Sequence, residues 1–429
     1  MRSIIISLIF VIYFLFAFFY TKNTFANGDE VHYLLATRSL VYDHDLWLEN
    51  NYAQGDALLF NPEVRDEIAA TGLDGHLYPV HGIGYSLLLT PFYALAGRLG
   101  AVFFNVAISA ALFVITYLFT KKITQFNNLS LTFTSVVFLS IPIFNLTVLN
   151  FTEITGAFLF MTVVYYLLAD KLRSFPIVLS FCLLPWIHIR YLPIAILLYP
   201  FFLWRLNKCQ KYLALLPLLS IIGYLTFLKI TFGSFNPFTP YTLLGHLPPS
   251  GHPFQNTINL LIDRQYGLFI YNPLFLFVIP GFFLWYKKNK ISFFLILLII
   301  SAYLFPVILK GTWQGYTPPG RLLVPILPLA IPALVFFSKQ KNYLFYHLIG
   351  VLFYSWGILN MIVALLLPPN HGFVSPNGIA PSLQFLSIQI TIDIQSFFPA
   401  FYPTFQFSFL HYLWILVIIV FWKSVSYKL

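Results

Sequence analysis

Apolar residues fill this chain in long unbroken runs, and short polar clusters separate them. Ser3 to Tyr20 and Ile291 to Leu309 are two such runs. At about 1.5 Å per residue, a helix of that length crosses roughly 30 Å of hydrocarbon. Only helices and closed barrels span lipid, and continuous rather than alternating runs favour helices. Spans are placed at about 3–20, 101–120, 129–147, 153–169, 212–231, 268–286, 291–309, 321–337, 343–366 and 409–422. Two more divide Phe175 to Trp204, where Pro185 and Pro193 interrupt the pattern. The pattern predicts an all-α integral membrane protein of about twelve transmembrane helices.

Charge orients these spans. With both ends of the chain inside, the cytoplasmic positions hold Arg2, Lys121-Lys122, Lys171, Arg173, Arg205, Lys208, Lys211, Lys287, Lys288, Lys290, Lys339, Lys341, Lys423 and Lys428, the majority of the 24 Lys and Arg. Counting Gly82 to Gly97 as a further crossing would put Lys121-Lys122 outside. That run, which contains Pro91, is therefore read as an interfacial or re-entrant helix at the outer leaflet. The first run has two readings. Arg2, the apolar stretch and Thr24-Phe25-Ala26 fit a signal peptide, whereas the run exceeds the usual apolar core of roughly 7–15 residues and fits a retained helix. Either way the next loop lies outside.

Composition agrees with the pattern: 59% of residues are hydrophobic and 9% charged, against about 25% charged in soluble domains. The net charge of +10 sits in short clusters between spans, so it speaks for topology and not for nucleic acid. Cys182 and Cys209 imply no disulfide framework.

The carboxylates are distributed very unevenly. Ten of fourteen lie between Lys22 and Gly82: Asp29, Glu30, Asp43, Asp45, Glu49, Asp56, Glu63, Asp66, Glu67 and Asp74. This acidic first loop (21–81) shares the outer face with Thr231 to Tyr266 and Lys310 to Gly320, and a long, weakly charged loop (367–408) joins them. Two modules are expected, 1–232 including the acidic loop and 233–429. There is no internal repeat.

Asn27-Gly28-Asp29-Glu30-Val31-His32-Tyr33 stands just beyond the first span, and Val31, Leu34, Leu35 and Val41 follow at helical spacing. Asp29-Glu30 thus opens a helix. One reading is a cap that complements the helix dipole, worth about 1 kcal/mol. The other is a carboxylate held at the membrane surface as a general base. Asp43-His44-Asp45 is a weak candidate for a divalent metal, and no cofactor is expected. Glu153 is an acid at a membrane boundary, which by itself reads as a simple interfacial Glu. Asp263 beside Arg264 reads as an ion pair, and Asp170 and Asp393 as solvated residues.

In its order of motifs the chain resembles the GT-C glycosyltransferases, most closely the protein O-mannosyltransferase and aminoarabinose transferase branch. The resemblance rests on Asp29-Glu30 after the first helix and on Asp74-Gly75-His76-Leu77-Tyr78-Pro79-Val80-His81-Gly82 before an interfacial helix. Asp263-Arg264-Gln265-Tyr266-Gly267-Leu268 and Trp313 through Gly320-Arg321, with Pro325 and Pro328, complete it. It implies inverting transfer from a polyprenyl-phosphate sugar to a lipid, glycan or protein hydroxyl at the outer face of the cytoplasmic membrane, with Asp29 as base and Glu30 beside it. It also implies a second site carboxylate at Glu153, as the alternative to an interfacial Glu. The leaving lipid phosphate calls for positive charge; the candidates are His32, His81, Arg190, Arg264, Lys310 and Arg321. The aminoarabinose branch carries Arg three residues after the loop Asp and Lys before the interfacial helix; here those places hold His32 and His81, whose charge depends on pH. Two other functions compete. A transporter or flippase of lipid-linked saccharides calls for midplane charges and repeat symmetry. An O-antigen polymerase or ligase calls for a catalytic late loop, but 367–408 offers only His371 and Asp393 as ionisable groups.

Overall fold

The computed structural model describes residues 2–64, 67–245, 252–310, 317–340, 344–367, 379–402 and 406–426. The helices in chain order are α1 (Arg2–Asn23), α2 (Asp29–Tyr42), α3 (Glu49–Ala53), α4 (Ile83–Thr124), α5 (Asn127–Phe138), α6 (Ile143–Thr147), α7 (Thr152–Leu168), α8 (Ser174–Ile187), α9 (Leu192–Arg205), α10 (Leu215–Phe232), α11 (Thr239–Leu243), α12 (Pro253–Ile262), α13 (Leu268–Tyr271), α14 (Val278–Lys288), α15 (Lys290–Lys310), α16 (Leu327–Ser338), α17 (Leu344–Leu366), α18 (Pro381–Ile390) and α19 (Phe409–Ser426). Among the described residues five helical stretches are long and apolar enough to cross a membrane: Ile4–Asn23, Ile83–Thr124, Lys208–Phe232, Lys290–Leu309 and Phe345–Ala364. Thr152–Leu168, Ser174–Ile187, Leu327–Ser338 and Phe409–Val425 are apolar but shorter. The protein is a multi-pass membrane protein of almost purely helical structure.

Several expected continuous spans are broken. The stretch placed at 129–147 is two helices, α5 and α6, interrupted before Pro142. The stretch at 268–286 breaks at Asn272, whose φ of −142° and ψ of 78° leave the helical region because Pro273 follows. Helix-breaking at membrane depth leaves backbone groups that need new partners. Asn272 provides them: its Nδ2 donates to Ser140 Oγ at 2.9 Å and to the Ile141 carbonyl at 2.7 Å. The stretch at 321–337 opens as a short 3-10 turn, Arg321–Leu323, before α16. Within 83–124 the interruption is not at Pro91 but at Ala96-Gly97, where Gly97 takes φ 57° and ψ −142°. Only glycine adopts that conformation without strain.

The chain divides into two compact units, each discontinuous in sequence. One comprises 1–13, 116–146 and 251–429. In it α14 packs against α16, and α16 against α5. The other comprises 14–115 and 147–250, where α8 packs against both α7 and α10. This second unit holds the acidic loop and the one sheet among the described residues, β1 (Ala69–Thr71) paired antiparallel with β2 (Leu77–Pro79). Ala70 and Val80 of the hairpin region pack on Tyr224, Leu228 and Phe232 of α10, and the Leu73 N–H donates to the Thr231 carbonyl at 2.8 Å.

The loop carboxylates do more than solvate. Asp56 forms an ion pair with Arg38, its Oδ2 2.9 Å from Nε, and Asn51 donates to both Asp43 and Asp56 at 2.8 and 2.9 Å. Asp45 accepts from Ser39 Oγ at 2.9 Å and from the Trp47 N–H at 3.0 Å. Glu49 pairs with His76 and accepts the Leu77 N–H at 3.1 Å. Asp74 accepts from the Tyr78 hydroxyl at 2.7 Å. A three-residue hairpin is marginal by itself; Glu49 through Leu77 and Asp74 through Tyr78 pin it. Asp170 and Asp393 are exposed.

Candidate functional site

Gly28 sets the first turn of α2. Its φ of 58° and ψ of −139° belong to glycine, and α2 begins at the next residue without a side-chain cap. Asn61 clamps the approach by donating to the Ala26 carbonyl and to Asn27 Oδ1, both at 2.9 Å. Asp29 and Glu30 follow, with contrasting surroundings. The Asp29 side chain stays 33% exposed, and its Oδ1 lies 3.9 Å from His81 Nε2. Glu30 is fully buried, and Arg98 reaches both of its oxygens.

His81 is placed by the hairpin before it and the glycine after it. A Cβ on Gly82 would lie 2.5 Å from the Trp186 carbonyl and 2.6 Å from that of Ile187, so the chain can press against the end of α8 only with glycine there. This contact brings His81 to the start of the turn that carries His188 and Arg190. A small cavity lies here, lined by His81, His188 and Tyr241 among polar residues and by Tyr224, Phe227 and Phe232 among apolar ones. His81 Nδ1 is 3.4 Å from the Tyr241 hydroxyl. The rings of Tyr33 and His32 stand 5.0 and 6.3 Å from that of His81.

Glu153, in the first turn of α7, is fully buried, and its Oε1 receives Arg190 Nη1 at 3.0 Å. The other terminal nitrogen of Arg190 is 2.9 Å from His188 Nε2. Two residues expected separately, the second carboxylate and the α8–α9 arginine, therefore form one ion pair.

The second unit thus brings together Asp29, Glu30, His32, His81, Glu153 and Arg190. Arg264 and Arg321 belong to the first unit. Arg321 is buried, whereas Arg264 is half-buried. The side chain of Lys310 and the Trp313 segment lie outside the described residues. The expected Asp263–Arg264 ion pair is corrected: the Asp263 carboxylate accepts the backbone N–H groups of Gln265, Tyr266 and Phe401 at 2.8, 3.2 and 3.0 Å. The reason is local geometry, since Asp263 caps the turn that leads into α13. Asp43 and Asp45 are engaged in the loop bonds described above, and among the described residues no group of three or more metal-ligating side chains gathers.

Sequence reading missed Arg98, Asn150 and Tyr241. Arg98 had a signal, being the single charge between Gly82 and Lys121, in a run where an unpaired charge is costly. Asn150 and Tyr241 carried none.

Acid titration separates two parts of the protein. Burial raises the Glu49 carboxyl, but bonds from His76 and from the backbone, including Leu77, outweigh it and hold the group below its usual range. Asp74 is held low by the Tyr78 hydroxyl. A lowered carboxyl stabilises the fold above the unfolded value and loses that contribution as pH falls through the folded value. Asp263 is opposite: burial pushes it up to about 6, so its contribution is full below the unfolded value of about 3.9 and fades as pH rises through 6. Hydrogen exchange, corrected for its intrinsic pH dependence, is expected to show Leu77 losing protection below about pH 4. Gln265 and Phe401 should instead lose it between about pH 4 and 6.

No protein-family model matches the chain, and no curated protein matches it in sequence. It is similar to the crystal structure of ArnT from Cupriavidus metallidurans bound to undecaprenyl phosphate, with a TM-score of 0.49 and 12% identity over 91% of this chain and 69% of that one. It is also similar to the apo crystal structure of the same ArnT, with a TM-score of 0.44 and 14% identity over 85% of this chain and 62% of that one.

Proposed function

We propose that this protein transfers a sugar from a polyprenyl-phosphate-linked donor to an acceptor hydroxyl at the outer face of the cytoplasmic membrane, with inversion and with Asp29 as general base. The observation that carries the reading is the contrast among three neighbouring acids. Glu30 and Glu153 are fully buried and each is paired with an arginine. Asp29 is one-third exposed and faces His81, which itself lines a small cavity. A group that takes a proton from a substrate has to be reachable by it.

In the proposed step Asp29 accepts the acceptor hydroxyl proton as that oxygen forms a bond to the anomeric carbon. The bond from that carbon to the phosphate oxygen breaks, and its electron pair leaves with the lipid phosphate. The departing phosphate needs positive charge and not a proton. His81 lies 3.9 Å from Asp29 and His32 follows three residues later on α2, so these two, with Arg190 of the same unit, are the proposed donors to it. Arg190 would act while already tied to Glu153 and His188. No step calls for a metal or cofactor.

The test is made in proteoliposomes carrying a polyprenyl-phosphate sugar labelled in both the sugar and the lipid. Transfer separates the two labels, leaving free polyprenyl phosphate and a glycosylated acceptor in equal amounts. Movement of doubly labelled donor across the bilayer without separation would identify a transporter and refute the proposal.

A further inference from the structure

Glu30 and Arg98 form a buried ion pair at the residue next to Asp29. Arg98 Nε and Nη2 lie 3.3 and 3.5 Å from the two Glu30 oxygens. Asn150 Nδ2 donates to Glu30 Oε1 at 3.0 Å. The remaining guanidinium nitrogen, Nη1, donates to the Thr24 carbonyl and lies 3.4 Å from that of Thr21. Arg98 itself follows directly on the Ala96-Gly97 break in α4. One side chain therefore ties the end of α1, the first turn of α2 and the restart of α4.

Asn61 clamps the approach to that turn, but the turn itself has no side-chain cap. Its cap is Gly28, which restrains no dihedral angle and offers no side-chain bond. Buried ion pairs are weak contributors to stability, and neutral replacement of both partners is often tolerated. Their better-attested use is to specify geometry. Arginine suits this because its planar fork serves several acceptors at fixed angles.

Building on the transferase reading, we propose that Arg98 is a positioning residue that acts through Glu30: the pair sets the first turn of α2 and thereby where the Asp29 carboxylate stands. Glu30 is then not a second proton acceptor but the anchor of the first. A shift of about 1 Å in a reacting group can cost roughly 10²-fold in rate.

The experiment compares Glu30→Gln, Arg98→Gln and the double variant with the parent. It reads the thermal midpoint, the donor KM and the turnover per folded protein. The position of the turn is read from the line shape of a nitroxide on Asp29→Cys in a Cys182→Ser, Cys209→Ser background. Each single variant should lose stability because a buried charge is left alone, and the double variant should regain it. In the double variant turnover should stay at least roughly ten-fold low with donor KM unchanged, and the nitroxide should become mobile. An immobile nitroxide, with turnover returning alongside stability, would make the pair merely structural and overturn the proposal. A raised donor KM at unchanged turnover would also overturn it, by making Arg98 a donor contact. Arg98→Lys supplies a second route if the double variant does not fold. Lysine keeps the charge without the fork, so reduced turnover with a mobile nitroxide supports positioning, and parental values on both refute it. If the parent transfers no sugar while the nitroxide pattern holds, the transferase reading falls and the positioning role stands.

Discussion

Asp29→Asn is expected to lower sugar transfer by about 10²- to 10⁴-fold, the range that a positioned general base contributes, while the protein folds as before. The substitution keeps the size of the side chain at the first position of α2 and removes only its capacity to accept a proton. The lost charge forfeits a dipole interaction worth about 0.3–1 kcal/mol in the first turn, so stability should change by less than about 1 kcal/mol. Glu30 does not substitute as the base, because it is fully buried and its oxygens are taken by Arg98 and Asn150. Turnover in proteoliposomes, set against the thermal midpoint of the same preparation, checks this. Undiminished turnover in a folded Asp29→Asn variant would remove Asp29 from the mechanism.

The second large effect is on folding. Glu153→Ala is expected to destabilise the protein by about 3–5 kcal/mol, because it leaves the Arg190 charge largely buried without its carboxylate. Against a total stability of roughly 5–15 kcal/mol, such a loss should deplete folded protein in the membrane. Arg190→Met together with Glu153→Ala should recover part of it, since no lone charge remains. Thermal unfolding in detergent reads both variants. A Glu153→Ala protein as stable as the parent would show that the pair contributes little to the fold.

Hydropathy and charge made the helical character legible, because a run that must satisfy its own backbone in lipid has little choice but helix. They did not reveal the breaks at Pro142 and Asn272. A hydropathy window of about 19 residues averages away interruptions of one to four residues, and at Asn272 the break is accompanied by a contact with Ile141, 131 positions away. Asp29 stood out because its signal is local, a carboxylate at the start of a helix just past a span. His81 also stood out, between a polar loop and an apolar helix. The pairs Glu30–Arg98 and Glu153–Arg190 did not, since they join residues 68 and 37 positions apart. The structure of the acidic loop was equally hidden. Its carboxylates look like solvated charges in sequence, and only tertiary contacts show Asp43, Asp45, Asp56, Glu49 and Asp74 as hydrogen-bond acceptors that hold the hairpin and turns.

The measurement that bears most directly on the central claim is the anomeric configuration of the first product, read by NMR after transfer from a donor of defined configuration. A single displacement assisted by Asp29 yields a product of inverted configuration, and the account predicts that outcome alone. Retention would require a covalent or second displacement in which Asp29 is not the base, and it would contradict the account.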